Sequence, residues 1–450
     1  MPKMTRRGFL VGCSASIAAM AGARINQVVF ADPGTAVNSD VLITVFLRGG
    51  CDALNLLPPI AGADRGHYVS ARPELYVPNS GQGAALALNG QFGLHPSAGG
   101  LYDLFQDQKL AIVQAVGLHE DTRSHFDAMT YMELGTPGSK SSTTGWLTRH
   151  LQTSSAAGTH PLMPAVAANS LPQQSLVGNS NTTTMTDPDQ FNLNVGPYSW
   201  REQHKSTLEQ LYSANSSDLH EAGQQAIDVI NAVDFGDFDN YQPGNGAVYP
   251  DNSFGRRLKM IAYLVKLDLG LQVANVDLGG WDTHDNQGDG SSGYFSDQVE
   301  TLSQGLTAFY ADLDGCNGTT HNKKVTVAVM SEFGRRLREN DDGGTDHGHG
   351  GMMMVLGQNV NGGLYGNWPG LATAQLYDNA DLAVTTDFRR VLSEILVKRL
   401  GNNNLDQIFP SYTGYTPMNI VNGSSGVITP PQYGAHNVFL PMVANNSGGC

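Results

Sequence analysis

Cysteine is nearly missing from this chain: Cys13, Cys51, Cys316 and Cys450 are the only four in 450 residues. None pairs in a C-x-x-C spacing, which excludes a thiolate zinc ribbon, and so few thiols make no disulfide framework. A Cys316–Cys450 bridge stays open for an oxidising compartment. Long apolar runs are missing too. Beyond the N-terminus no segment reaches the ~18 consecutive apolar residues that a membrane-crossing helix needs. Basic residues are scarce, 26 Lys and Arg against 41 Asp and Glu for a net charge of −15. Phosphate backbones are bound by basic surface, so a nucleic-acid partner is excluded. There is no internal repeat. What the chain does have is 40% hydrophobic residues and 53 glycines with only 15% charge, a composition for a compact, loop-rich protein rather than a coiled coil. Its length allows one large α/β domain or two ordinary ones.

The basic residues are unevenly spread. Residues 1–31 hold Lys3, Arg6, Arg7 and Arg24 and no acid; 26 less these four leaves 22 basic residues against 41 acidic in the remainder. Thr5-Arg6-Arg7-Gly8-Phe9-Leu10, the mild apolar run Val11 to Ala21 and the small-residue end Val29-Phe30-Ala31 resemble a twin-arginine export signal. The expectation is export of a folded chain by the twin-arginine translocase to the periplasm or beyond, without a membrane span once residues 1–31 are removed.

From Val41 the pattern is that of an α/β domain. Val41 to Leu47, Ala111 to Val116, Leu271 to Leu278, Lys324 to Met330 and Met352 to Leu356 are short apolar, β-branched runs suited to strands covered on both faces. Helical spacing runs through Leu101 to Gln108, Asp127 to Leu134, Phe254 to Leu269, Tyr294 to Leu313 and Thr385 to Leu400. Thr153 to Pro197 turns to Ser, Thr, Asn, Pro and Gln with weak periodicity and reads as an excursion or lid over the sheet. The expected layout is a domain over residues 32–412 with an insertion at about 152–253, followed by a Pro/Gly/Asn-rich tail over 413–450 that wraps the surface or stays a flexible end.

Metal-ligand residue types gather after the strands. Asp52 follows the first, Asp282 and His284 follow Leu271 to Leu278, and Asp346, His347 and His349 lie in the octet Gly344 to Gly351 after the Lys324 strand. Ligands collect at the carboxyl ends of strands in open α/β sheets, so these loops can converge. Mixed Asp and His suit zinc or manganese, with calcium a third candidate, and several carboxylates suggest two ions rather than one. Ser124, ahead of the helical run from Asp127, is either a helix cap or a nucleophile. Arg48, Arg123 and Arg335 are each either a salt-bridge partner or a group holding an anionic substrate.

The segments FLRGGCDALN, RSHFDAMTYMELGTP, VDLGGWDTHDNQ, SEFGRRLREN, GTDHG, GGLYG and TTDFRRVL, in this order, closely resemble the bacterial domain-of-unknown-function 1501 family over Val41 to Gly401. That family is similar to the alkaline phosphatase and sulfatase superfamily. The resemblance implies a three-layer α/β/α sandwich with a mostly parallel central sheet. It also implies a metal site in which Asp52, Ser124, Asp282, His284, Asp346 and His347 take the superfamily's positions. Two departures stand out. Only Thr283 separates Asp282 from His284, and the further histidine is either His349, which is preferred, or His436. Glu332 and His125 belong to the narrower family's pattern and could be ligands, general acids or orienting groups. Cys51 lacks the Cys-x-Pro-x-Arg context of formylglycine sulfatases and reads as a small buried residue.

These expectations describe an exported metal-dependent hydrolase of phosphate or sulfate esters. Its nucleophile would be Ser124 or a metal-bound water, and its substrate a small anionic ester or one linked to a polysaccharide. The competing class is a non-catalytic exported scaffold that keeps the fold and a structural metal.

Overall fold

A computed structural model of the chain describes residues 40–154, 161–188, 191, 200–213, 218–235, 238–314 and 324–423. The expected export signal, the Cys316–Cys450 pair and His436 lie outside these residues. In chain order the elements are β1 (Val41–Leu47), α1 (Gly62–Ala71), the hairpin β2 (Leu86–Ala87) and β3 (Gly93–Leu94), α2 (Gly99–Gln106), β4 (Leu110–Gly117), α3 (His125–Leu134) and α4 (Trp146–Thr153). There follow β5 (Ala165–Ala167), β6 (Thr182–Thr184), α5 (Arg201–Ser213), α6 (Asp218–Phe235), α7 (Ser253–Leu267), β7 (Val273–Leu278) and α8 (Tyr294–Asp314). The chain continues through β8 (Val325–Met330), β9 (Gly351–Leu356), β10 (Gly363–Tyr365), β11 (Thr386–Asp387) and α9 (Phe388–Lys398).

The central sheet has nine strands in the order β10-β4-β9-β8-β1-β7-β5-β6, with β11 paired to β4. β1 lies in its middle, parallel to β7 and β8, and all seven of its residues are buried. Strand side chains alternate between faces, so the unbroken apolar run VLITVFL serves two cores at once. Val41, Ile43, Val45 and Leu47 pack with Leu101 of α2, Leu258 and Ile261 of α7 and Val299 and Leu302 of α8. Leu42 and Phe46 pack on the other side with Ala128 and Met132 of α3, Trp146 of α4 and Val391 and Ile395 of α9. Helices therefore cover both faces of the mostly parallel sheet.

β9 alone is antiparallel to its two neighbours, β4 and β8. The chain leaving β8 turns straight back into β9, so the loop between them stays at the carboxyl edge of β1, β4, β7 and β8. Among the described residues no helix is long and apolar enough to cross a membrane.

One expectation needs correction. Part of Thr153 to Pro197 is core rather than cover: β5 is fully buried and pairs with β7, and β6 extends the sheet beyond it. Its run is only Ala165-Val166-Ala167, too short to register as a strand period among the surrounding polar residues. Within the tail, residues 413–423 run mostly along the surface and are fastened at two points. Ile420 and Val421 are buried in the α9-side core, and the Glu394 carboxylate accepts from the backbone N–H groups of Met418, Asn419 and Val421.

The last described residue of α8, Asp314, is buried, its Oδ1 without a hydrogen-bond partner among the described residues, and burial raises its pKa to about 7 against the pull of Lys109 and Lys324. A carboxyl whose pKa is raised on folding favours the native state while protonated. Its contribution is intact below about pH 4 and is lost as pH rises to about 7, a swing of at most about 4 kcal/mol. Asp314→Asn should therefore raise the unfolding temperature at pH 8 and leave it nearly unchanged at pH 4, which thermal melts at the two values will check.

Candidate metal centre

Four loops meet at the carboxyl edge of the sheet, those following β1, β4, β7 and β8. Their contact is close. Gly49 has φ +123°, and a Cβ there would fall 2.4 Å from the backbone nitrogen of Asp282. In the glycine-rich octet, a Cβ on Gly344 would fall 2.3 Å from the carbonyl oxygen of His284. Bare glycine backbone is what lets the β1, β7 and β8 loops touch. Arg335, fully buried, ties them together. Its guanidinium donates to the carbonyls of Gly50 and Thr345 at 2.7 Å, to those of Gly49 and Trp281, and to Asp282 Oδ1 at 2.5 Å.

Asp282 is the hub of the cluster. His125 Nε2 lies 3.3 Å from its Oδ2, and the Nε2 atoms of His284 and His347 each lie 3.1 Å from its Oδ1. His284 Nδ1 is 3.3 Å from Asp346 Oδ1, and Asn340 Nδ2 also donates to that oxygen. His125, Asp282 and His347 each offer one ligand atom, all within 4.8 Å of one another.

The far sides of two imidazoles fix which nitrogen faces the hub. His347 Nδ1 is 2.7 Å from the carbonyl oxygen of Arg123, which can only accept, so Nδ1 carries the hydrogen. His125 Nδ1 is 2.7 Å from Glu332 Oε1. Burial works to raise the pKa of Glu332, but the bonds from His125 and from the Gly49 N–H outweigh it and hold the group below the usual glutamate value. Glu332 is thus an ionised acceptor, and His125 Nδ1 donates to it. In their neutral forms both rings turn an Nε2 lone pair toward a carboxylate. Burial lowers the pKa of His347 and so keeps its lone pair free, while the bond to Glu332, against burial, raises that of His125. Asp282 stays ionised: burial opposes its charge, but the Arg335 guanidinium bonded to Oδ1 helps hold its pKa at about 2. His125 Nε2 is buried with no hydrogen-bond partner among the described residues. Two imidazole lone pairs and a carboxylate pointed at one another repel unless a cation or added protons stand between them, and this donor set fits a divalent cation.

The expected site residues divide. Asp282, His284, Asp346 and His347 come together, and His125 joins them. Glu332 and Arg335 lie buried behind the cluster, bonded to it and to the loop backbones, so Arg335 is shielded from a substrate. Ser124 caps α3, its Oγ accepting from Asp127 N at 3.4 Å, directly before His125. Asp52 and His349 are held elsewhere. Asp52 is fully buried, with Arg72 Nη1 and Nη2 on its two oxygens at 2.6 and 3.0 Å and Gln287 Nε2 at 2.7 Å. His349 stacks on Tyr377 with ring centroids 4.0 Å apart, and burial lowers its pKa to about 4. Arg48 and Arg123 are taken by Glu133 and Asp277 and by Asp378 and Asp381.

Sequence reasoning passed over Arg72, Gln287, Asn340 and Arg336. Gln287 Oε1 accepts from Thr283 Oγ1 at 2.8 Å and Thr345 Oγ1 at 3.1 Å, the residues beside Asp282 and Asp346, so it links Asp52 to both loops. The only signal for Gln287 was its place at the end of the VDLGGWDTHDNQ motif; Arg72, alone between helix and loop, had none.

No curated protein matches the chain in sequence. The family described as "Protein of unknown function (DUF1501)" matches residues 39–401, which takes in all four loops of the cluster. The chain belongs to the DUF1501 family.

Proposed function

We propose that this protein is an exported metal-dependent hydrolase of phosphate or sulfate esters, related in fold and site to the alkaline phosphatases and sulfatases. The observation that carries the reading is the convergence of His125 Nε2, His347 Nε2 and the Asp282 carboxylate, with both rings anchored through Nδ1. These three would hold one cation; His284 and Asp346 beside them would complete the set or hold a second. Zinc and manganese suit these donors. A bound ion would polarise the ester oxygen and strengthen a nucleophile at neutral pH. Within the chain, Ser124 stands next to His125 as the candidate nucleophile, and His284, between two carboxylates and open to solvent, can hold or pass a proton at the leaving oxygen.

The substrate's anion needs a free cationic side chain. Arg336 is half-buried beside the cluster, its charge helping to lower the pKa of Asp346 once burial is set against it. It makes no side-chain hydrogen bond among the described residues; its Nε is 3.9 Å from Asp381. Arg336→Ala should raise KM about ten-fold or more, the loss of a charged hydrogen bond worth roughly 1.5–3 kcal/mol, with metal content unchanged. Steady-state kinetics beside metal analysis will show it.

The reading as a whole is tested by elemental analysis of the folded, exported chain followed by turnover of phosphate mono- and diesters and sulfate esters. One or two divalent ions per chain are expected, with hydrolysis lost in His347→Ala. A chain that cannot be loaded with metal fails the reading at its first step. A loaded chain that turns over no ester instead supports the scaffold alternative.

A further inference from the structure

The His347 bond that faces away from the cluster joins two loops. His347 stands between β8 and β9, and the carbonyl that accepts from its Nδ1 belongs to Arg123, between β4 and α3. That carbonyl has a competitor for the one hydrogen of the neutral ring, because the ionised Asp282 Oδ1 lies 3.1 Å from Nε2 and can only accept. With the hydrogen on Nδ1, Nε2 offers a lone pair to a cation; with it on Nε2, the ring donates to Asp282 and offers none. The place of the Arg123 carbonyl therefore decides what His347 presents.

Residues 121–124 belong to no helix or strand, so side chains must hold that carbonyl. Thr122 Oγ1 accepts from Ser124 N at 3.2 Å, a bond inside the stretch itself. Arg123 reaches outside it. Its Nε and Nη2 donate to Asp381 Oδ2 at 3.2 and 2.7 Å, and Nη2 also lies 3.3 Å from Asp378 Oδ2. The two carboxylates are unequal: Asp378 is exposed, where an ion pair is worth little, while Asp381 is fully buried.

Asp381 is itself held from the His347 side. Its backbone exchanges hydrogen bonds with Tyr377 at 2.8 and 2.9 Å across a tight turn in which Asp378 and Asn379 both have φ +55°, a region these residue types tolerate. The turn is laid against the loop between β8 and β9. Leu337 N donates to the Ala380 carbonyl at 3.1 Å, and Tyr377 stacks on His349, two residues past His347. Asp381 thus spans the same two loops as the bond between His347 and Arg123.

We propose that Asp381 is a positioning residue of the metal centre: by clamping Arg123 it keeps the Arg123 carbonyl on His347 Nδ1 and so turns the His347 Nε2 lone pair toward the cluster. That the lone pair then takes a metal rests on the reading given under Proposed function; the tautomer does not.

The test uses the full-length chain with nitrogen-15 in its histidines. Long-range proton–nitrogen NMR of the metal-free protein at pH 8, where the His347 ring is neutral, reads the tautomer, with the His347 signals assigned by their loss in His347→Gln. Zinc affinity is titrated on the same samples. Wild type should carry the hydrogen on Nδ1. In Asp381→Ala it should move to Nε2 in a large share of molecules, and zinc affinity should fall about ten-fold or more, the usual size when the partner behind a ligating histidine is lost. Asp381→Asn keeps an oxygen for Arg123 and should restore most of both, and the exposed-site control Asp378→Ala should shift affinity less than about two-fold. If Asp381→Ala does not fold, Arg123→Met/Asp381→Asn breaks the same clamp without stranding a charge and should give the same two losses. A hydrogen that stays on His347 Nδ1, with zinc affinity within about two-fold of wild type, overturns the proposal. Zinc binding that is tight in wild type with a tautomer unmoved in the variants sinks this inference and leaves the metal reading standing. A wild-type chain that binds no zinc removes the metal reading, and the tautomer in the variants then decides this inference alone.

Discussion

Replacing Asp52 by alanine is expected to cost about 3–5 kcal/mol of stability, because it strands a buried guanidinium. Arg72 is fully buried, and its other bonds, to Asn55 Oδ1 and the carbonyls of Leu337 and Arg336, supply dipoles but no charge. Among the described residues Asp52 is its one carboxylate contact. The substitution also frees Gln287 Nε2, and through Gln287 it loosens Thr283 and Thr345 beside the cluster. The outcome separates two roles for Asp52. As a buried strut, Asp52→Ala should lower the urea midpoint strongly while the protein folded at low temperature still binds metal through His125, Asp282 and His347. As a metal ligand, it would lose metal with little change in the midpoint. A double variant with Arg72→Met removes both charges, and under the first role it should recover much of the lost stability.

Asp52 also shows how far the sequence could be read. That a carboxylate follows β1 was legible, since VLITVFL can only be a strand covered on both faces and the next residues must turn at its carboxyl edge. Which way the carboxylate is used was not, because its partner Arg72 lies beyond α1 and nothing in Ser70-Ala71-Arg72-Pro73 marks that arginine as buried. The same division runs through the site. Asp282, His284, Asp346 and His347 were legible because they sit in glycine-bearing loops that follow readable strands and carry metal-ligand residue types. His349 carried the same local signature, yet two residues past His347 the loop has turned under Tyr377. His125 and Glu332, in different loops, could be matched only by their meeting in space. In the fold, long apolar strands and amphipathic helices were readable from their periods. The three-residue strand β5, the reversed direction of β9 and the anchoring of Ile420 and Val421 depend on contacts distant in sequence, and no local pattern encodes them.

Glu332→Gln should weaken metal binding by about 10- to 100-fold while keeping the fold, the size of effect usual when the partner behind a ligating histidine is changed. The glutamate is buried and accepts from His125 Nδ1 at 2.7 Å, Gly49 N at 2.9 Å and Ser331 Oγ at 3.0 Å. Glutamine has the same shape but only one accepting oxygen, so one of the three bonds must be exchanged for a donor, and the charge that makes His125 the more basic of the two anchored rings disappears. The exchange falls at Ser331, which bonds Oε2, so His125 keeps an accepting oxygen at Oε1 but loses the charge behind it and with it part of its electron donation, whereas His347, held by a backbone carbonyl, is untouched. Binding of a divalent cation displaces any proton on His125, so proton release on metal binding should also fall in the variant at pH values near neutrality. Zinc titrations of wild type, Glu332→Gln and His125→Ala in two buffers of different ionisation enthalpy measure both quantities. Glu332→Gln should fall between the other two in affinity and release fewer protons than wild type. Equal affinity in wild type and Glu332→Gln would mean that the bond between Glu332 and His125 serves the fold alone, and that the centre is held by His347, Asp282 and the more exposed His284 and Asp346.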